Sequence, residues 1–94
     1  MHYEIATTQT FEKWLRKLAD RRAQTIIAEH IARVRSGYFG AAKSLGGGLS
    51  ELRIAYGPGY RLYYTIEEGR IVILLAGGDK SSQRRDIATA REML

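Results

Sequence analysis

A chain of 94 residues falls in the lower part of the size range of one folding unit, so a single domain over residues 1–94 is expected and a second is not. Hydrophobic residues at 45% and charged residues at 27% describe a globular chain rather than a disordered one. The absence of cysteine excludes a disulfide framework and a thiolate metal site, and a formal charge of +5 favours polyanionic partners such as RNA, DNA or an acidic protein segment.

From Thr8 to Leu18 the residues Phe11, Trp14, Leu15 and Leu18 recur at helical spacing and predict a first amphipathic helix. Asp20 is placed to cap a second, whose stripe of Ala23, Ile26, Ile27, Ile31 and Val34 runs to a stop at Gly37. The period then changes from helix to strand. Leu52 and Ile54 alternate with Glu51 and Arg53, and Leu62, Tyr64 and Ile66 alternate with Arg61, Tyr63 and Thr65. Gly57-Pro58-Gly59 is the turn between these strands. Glu67-Glu68-Gly69 leads into a third strand at Ile71–Leu75, apolar on both faces and therefore central, with Tyr3-Glu4-Ile5 as a further strand beside it. Gly77-Gly78 ends the sheet. Asp79, Ser81 or Ser82 then caps a last helix with an apolar side of Ile87, Ala90, Met93 and Leu94. The expected fold is α+β, a helical hairpin packed on a twisted antiparallel sheet in the order β-α-α-β-β-β-α.

A three-residue turn at Gly57–Gly59 pairs Tyr56 with Tyr60, sets Arg53 opposite Tyr63, and puts Arg61 diagonally beside Arg53. The expected patch of Arg53, Arg61, Tyr63 and Glu51 faces away from the helices. Guanidinium forks suit phosphate, and an exposed tyrosine offers a surface on which an RNA base stacks. Lys43, in the loop before the strands, and Lys80, just after them, extend the patch. The alternative is a set of solvated cross-strand ion pairs. Attack of a ribose 2′-hydroxyl on its neighbouring phosphate needs a base, an acid and positive charge for the developing oxyanion. Arg53 and Arg61 suit the last role. Glu51 or a lysine is a candidate base, and Tyr63 or Lys80 a candidate acid. His2 and His30 are read as structural or incidental. No spacing indicates a metal site, and Gly46-Gly47-Gly48 lacks the lysine-serine ending of a phosphate loop, so no cofactor is expected. No stretch approaches the roughly 20 apolar residues of a membrane span, and MHYEIATTQ lacks the pattern of a signal peptide, so a cytoplasmic chain without a membrane partner is expected.

The runs Lys43-Ser44-Leu45-Gly46, Glu51-Leu52-Arg53-Ile54, Gly57-Pro58-Gly59-Tyr60-Arg61-Leu62-Tyr63-Tyr64 and Gly77-Gly78-Asp79-Lys80-Ser81-Ser82-Gln83 together resemble the RelE/ParE toxin superfamily. Within it they resemble most the short addiction-module killer proteins related to HigB-like toxins. The resemblance implies the toxin of a bacterial type II toxin-antitoxin system. RelE-like members cleave mRNA on the ribosome, and ParE-like members poison DNA gyrase; a degenerate toxin retained as antitoxin partner or corepressor is a third possibility. For the RNA-cleaving branch, Arg53 and Arg61 match the basic sheet positions that stabilise phosphate, with Lys43 and Lys80 beside them. Many such relatives carry a histidine or tyrosine after the last strand, where this chain has Gly77-Gly78-Asp79-Lys80. The implied partner is a helix-turn-helix antitoxin, with operator DNA reached only through the antitoxin complex.

Overall fold

The computed structural model describes residues 2–94. Five strands, β1 (Glu4–Thr7), β2 (Ala42–Gly46), β3 (Leu49–Ile54), β4 (Tyr60–Glu67) and β5 (Ile71–Asp79), form one sheet in the order β1-β5-β4-β3-β2. Helices α1 (Gln9–Arg16) and α2 (Arg21–Arg35) cover one face. A 3-10 turn (Lys80–Ser82) and α3 (Gln83–Glu92) follow β5 and cover part of the other.

Both helices of the hairpin begin where the sequence indicates. Thr8 Oγ1 accepts the Phe11 amide and caps α1, while its own hydroxyl donates to the Leu75 carbonyl at 2.6 Å, tying the helix start to β5. A cap of this kind contributes about 1 kcal/mol. Asp20 caps α2 through the amides of Arg22 and Ala23, and these contacts help hold its carboxyl below the usual range. At the far end the Gly37 amide donates to Val34 O and the Tyr38 amide to Arg33 O, a Schellman closure that needs the left-handed φ of 92° at Gly37. Phe11, Ala23, Ile27 and Val34 bury their stripe against Leu52, Ile54, Leu62, Tyr64, Val72 and Leu74. Even-numbered residues of β3 and β4 thus face the helical hairpin.

Four expectations need correction. The sheet is mixed rather than antiparallel, because β1 pairs in parallel with β5, Ile5 opposite Val72. That direction delivers Thr8 to the irregularity in β5 around Leu75, where α1 is anchored. Second, Lys43 lies not in a loop but in edge strand β2, joined to β3 by a two-residue turn at Gly47-Gly48, whose φ values of 63° and 86° only glycine adopts readily. Third, Gly77-Gly78 does not end the sheet: β5 runs on to Asp79. Fourth, Met93 and Leu94 lie beyond α3 and are exposed, so its apolar side reduces to Ile87 and Ala90. Asp79 caps the 3-10 turn through the Ser81 amide, and hydrogen bonds from the Ser81 hydroxyl and amide hold its carboxyl below the ordinary value.

The turn between β3 and β4 is also longer than expected. Ile54 pairs with Tyr60, so the connection is Ala55–Gly59, closed by the Gly59 amide on Tyr56 O. Tyr56 lies off the ladder, with its hydroxyl donating to Asp20 Oδ2, the cap of α2. Every cross-strand pair therefore shifts from the expected register. Arg53 stands directly opposite Arg61, and Glu51 opposite Tyr63.

Candidate functional site

The odd-numbered face of β3 and β4 carries the polar cluster. Across the sheet, one row reads Lys43, Glu51, Tyr63, Ala76, and the next reads Arg53, Arg61, Gly78. Two arginines facing each other across a strand pair repel unless an anion lies between them. Glu51 supplies it. Its carboxylate accepts from Arg53 Nε at 3.0 Å and from Arg61 Nη1 at 3.3 and 3.4 Å, and Arg61 Nη1 also donates to Gln83 Oε1 at 3.0 Å. Glu51 is 2% exposed and Arg61 8%, so this is a buried pair, whereas half of the Arg53 side chain is in solvent. Arg53 spends only Nε on Glu51; among the described residues its two terminal nitrogens have no partner and are free to fork onto an oxyanion.

The helix over this face reaches it because of Gly77-Gly78. A Cβ at Gly78 would overlap Asp86 Oδ2 and come within 2.6 Å of Ser82 Oγ; one at Gly77, on the opposite face, would overlap the Trp14 ring. The glycine pair admits α1 on one side of β5 and α3 on the other. Asp86 is buried there, accepting from Ser82 Oγ at 2.5 Å. At the other end of α3 the Arg91 guanidinium donates to Leu45 O at 2.9 Å and Gly46 O at 3.1 Å, fastening the helix to the β2–β3 hairpin.

The sequence-predicted residues separate into three settings. Arg53, Arg61 and Glu51 are brought into hydrogen-bonded contact. Lys43 is exposed on the edge strand opposite Glu51, and Lys80 is exposed at the first position of the 3-10 turn. Tyr63 is not the exposed stacking surface expected of it. It is fully buried in a second core with Leu49, Leu75, Ala76 and Ala90 beneath α3, because the face opposite the hairpin is itself covered by that helix. Its hydroxyl has no hydrogen-bond partner among the described residues. Burial, with the charges of Glu51 and Asp86 adding to it, pushes the phenol up to about 12.

Three further features went unread in the sequence. Gln83 joins the cluster, a residue type carrying no signal of its own. Ser81, Ser82, Arg84 and Arg85 line a cleft at the start of α3, next in sequence to Lys80. His30, Arg33, Tyr38 and Arg53 share another, on the far side of Arg53. Among the described residues no group of histidine, cysteine, aspartate and glutamate has the makeup of a metal site, and no helix is long and apolar enough to cross a membrane.

Comparison with known proteins places this fold. The E. coli toxin RelE, as an arginine-substituted variant in the free state, superposes with a TM-score of 0.81 at 22% identity, covering 100% of this chain and 99% of that one. RelBE2 of Mycobacterium tuberculosis, a toxin-antitoxin complex, aligns with a TM-score of 0.69 at 24% identity over 85% of this chain and 100% of that one. The intact E. coli RelBE toxin-antitoxin complex gives 0.68 at 21% identity over 82% and 95%. The chain therefore has the RelE toxin fold. An uncharacterized protein of Haemophilus influenzae is 48% identical over 91 residues, 97% of this chain and 92% of that protein. Residues 10–94 match the family model described as phage-derived protein Gp49-like (DUF891), and the chain belongs to that family.

Proposed function

We propose that the chain is the toxin of a type II toxin-antitoxin pair and acts as a metal-independent, ribosome-dependent mRNA endonuclease. The observation that carries this reading is the Arg53-Glu51-Arg61 cluster on the sheet face of a RelE fold. In the step proposed, the ribose 2′-hydroxyl attacks the adjacent phosphorus and the bond to the 5′-oxygen breaks, leaving a 2′,3′-cyclic phosphate and a 5′-hydroxyl. Arg61 and the free terminal nitrogens of Arg53 hold the charge that grows on the non-bridging oxygens. As Arg53, half in solvent, swings its terminal nitrogens onto the phosphate, its Nε leaves Glu51 and uncovers the otherwise buried carboxylate, which accepts the 2′-hydroxyl proton. Lys80 supplies a proton to the leaving oxygen, and Lys43 holds a neighbouring phosphate. Tyr63 supports the cluster from below and does not touch substrate, since its hydroxyl is sealed under α3 and stays protonated.

The partner proposed is an antitoxin, consistent with the toxin-antitoxin complexes that share the fold. A helix-turn-helix antitoxin would carry the pair to operator DNA. The HigB-like grouping is the more specific assignment within this reading. Primer extension on cellular mRNA after induced expression should reveal new 5′ ends at codon-linked positions, absent for Arg53→Ala with Arg61→Ala. Growth arrest with intact mRNA and double-strand DNA breaks would instead assign the toxin to the gyrase-poisoning type, and unimpaired growth would make it a non-catalytic antitoxin partner.

A further inference from the structure

Among the described residues Tyr38 is the most exposed of the large hydrophobic ones, at 65%, and the packing of the fold gives it no role. Its neighbour Phe39 turns inward, with ring centroids 5.3 Å from Tyr3 and 5.6 Å from Tyr64. Tyr38 is nevertheless held in place. The Schellman closure bonds its amide to Arg33 O, so the tyrosine and the Arg33 side chain are presented together at the end of α2. An exposed aromatic on a fixed backbone loses little entropy when a flat ligand stacks on it. The cleft of about 240 Å³ beside it has His30, Arg33, Tyr38 and Arg53 in its wall together with Phe39, Gly40, Ala41 and Ala55, and no acidic residue among the described residues. Arg53 thus belongs both to this cleft and to the Glu51 cluster.

We propose that the cleft is a nucleotide subsite next to the cleavage cluster, in which an RNA base stacks on Tyr38 and its phosphate lies between Arg33 and Arg53. This rests on the RNA-cleavage reading above and deepens it. Stacking of bases on aromatic side chains and forked arginine contacts to phosphate are the two interactions by which single-stranded RNA is held along a protein surface. His30 Nδ1 lies 2.9 Å from Ile26 O, which in the neutral ring leaves Nε2 as an acceptor for a ribose hydroxyl. The aromatic that sequence pattern assigns to Tyr63 is supplied instead by Tyr38, outside the sheet.

The test is cleavage of a defined mRNA on programmed ribosomes, quantified by primer extension, with Tyr38→Ala, Tyr38→Phe and Arg33→Ala beside Arg61→Ala as the chemistry control. Tyr38→Ala should raise KM about 5- to 150-fold, the loss of one base stack, with kcat held. Tyr38→Phe should restore the wild-type value. Arg33→Ala should raise KM and flatten its salt dependence by about 0.7 in log-log slope, one phosphate contact on a single strand. Unchanged KM in Tyr38→Ala, while Arg61→Ala abolishes cleavage, overturns the subsite alone. A Tyr38→Ala protein altered only in antitoxin affinity overturns it too and makes the cleft a protein contact. A wild-type protein that leaves the mRNA intact overturns the cleavage reading and the subsite with it.

Discussion

Glu51→Gln separates stability from function in a way that follows from the geometry of the cluster. The carboxylate takes hydrogen bonds from Arg53 Nε on one oxygen and from Arg61 Nη1 on both. A glutamine keeps the shape but turns one acceptor into a donor facing an arginine and removes the charge from the rest. Charge-assisted bonds contribute about 1.5–3 kcal/mol, and neutral ones about 0.5–1.5. The Arg53 share is small, because its half-exposed guanidinium turns into water. Arg61, with its side chain 10% exposed, has no such escape and keeps only Gln83. The expected loss is about 2 kcal/mol, or a Tm lower by roughly 8–16 °C in a domain of this size. RNA should bind more tightly to the folded variant, since the internal anion that competes for both guanidinium groups has lost its charge. Single-turnover cleavage should be slower, because the base proposed for the reaction is gone. Urea denaturation, RNA titration across salt concentrations and single-turnover kinetics measure the three effects. Unchanged stability would refute the buried pair with Arg61, unchanged affinity the competition, and unchanged rate the role of Glu51 as base.

Gly78→Ala should cost about 3 kcal/mol or more, because its methyl group would occupy the position of Asp86 Oδ2 on a backbone that cannot yield; hydrogen exchange should show α3 loosened before the sheet. Gly77→Ala should instead loosen α1, through Trp14. Tyr63→Phe should fold with equal or slightly greater stability at neutral pH, about 1 kcal/mol at most, and cleave normally, since a partnerless buried hydroxyl is removed and no substrate contact is lost. In alkali the wild type retains the Tyr63 proton up to about 12 while the unfolded chain loses it near 10, so stability falls as pH rises through that window. The variant should lose stability less steeply there, by up to about 1.4 kcal/mol per pH unit.

The helical hairpin was legible because its signals are local: the stripe of Phe11, Trp14, Leu15 and Leu18, the Asp20 cap, and Gly37 at the stop. Edge strand β2 was not, because Ala42–Gly46 is exposed along nearly its whole length and so carries no alternation to read. The register of β3 on β4 failed for a nonlocal reason. The turn takes in Tyr56, which lies off the ladder and bonds to Asp20, thirty-six residues away in the chain, a contact no local pattern shows. Strand alternation did put Glu51, Arg53, Arg61 and Tyr63 on one face, yet it could not say that α3 returns over part of that face. The covered part became a core around Tyr63, and the uncovered part left Arg53 in solvent. The resemblance in sequence named the fold that comparison of structures supports, while the contact of Gln83 with Arg61 and the exposure of Tyr38 come only from the way α3 and the end of α2 are placed.

The most direct test of the RNA-cleavage reading is a purified reaction containing the chain, ribosomes and one defined mRNA, with wild type set against Arg53→Ala with Arg61→Ala. The wild type should cut the mRNA at codon-linked positions, leaving a 2′,3′-cyclic phosphate upstream and a 5′-hydroxyl downstream. The double variant, folded by circular dichroism, should not cut. Intact mRNA with the wild type, or equal cutting by the double variant, would contradict the role assigned to the Arg53-Glu51-Arg61 cluster.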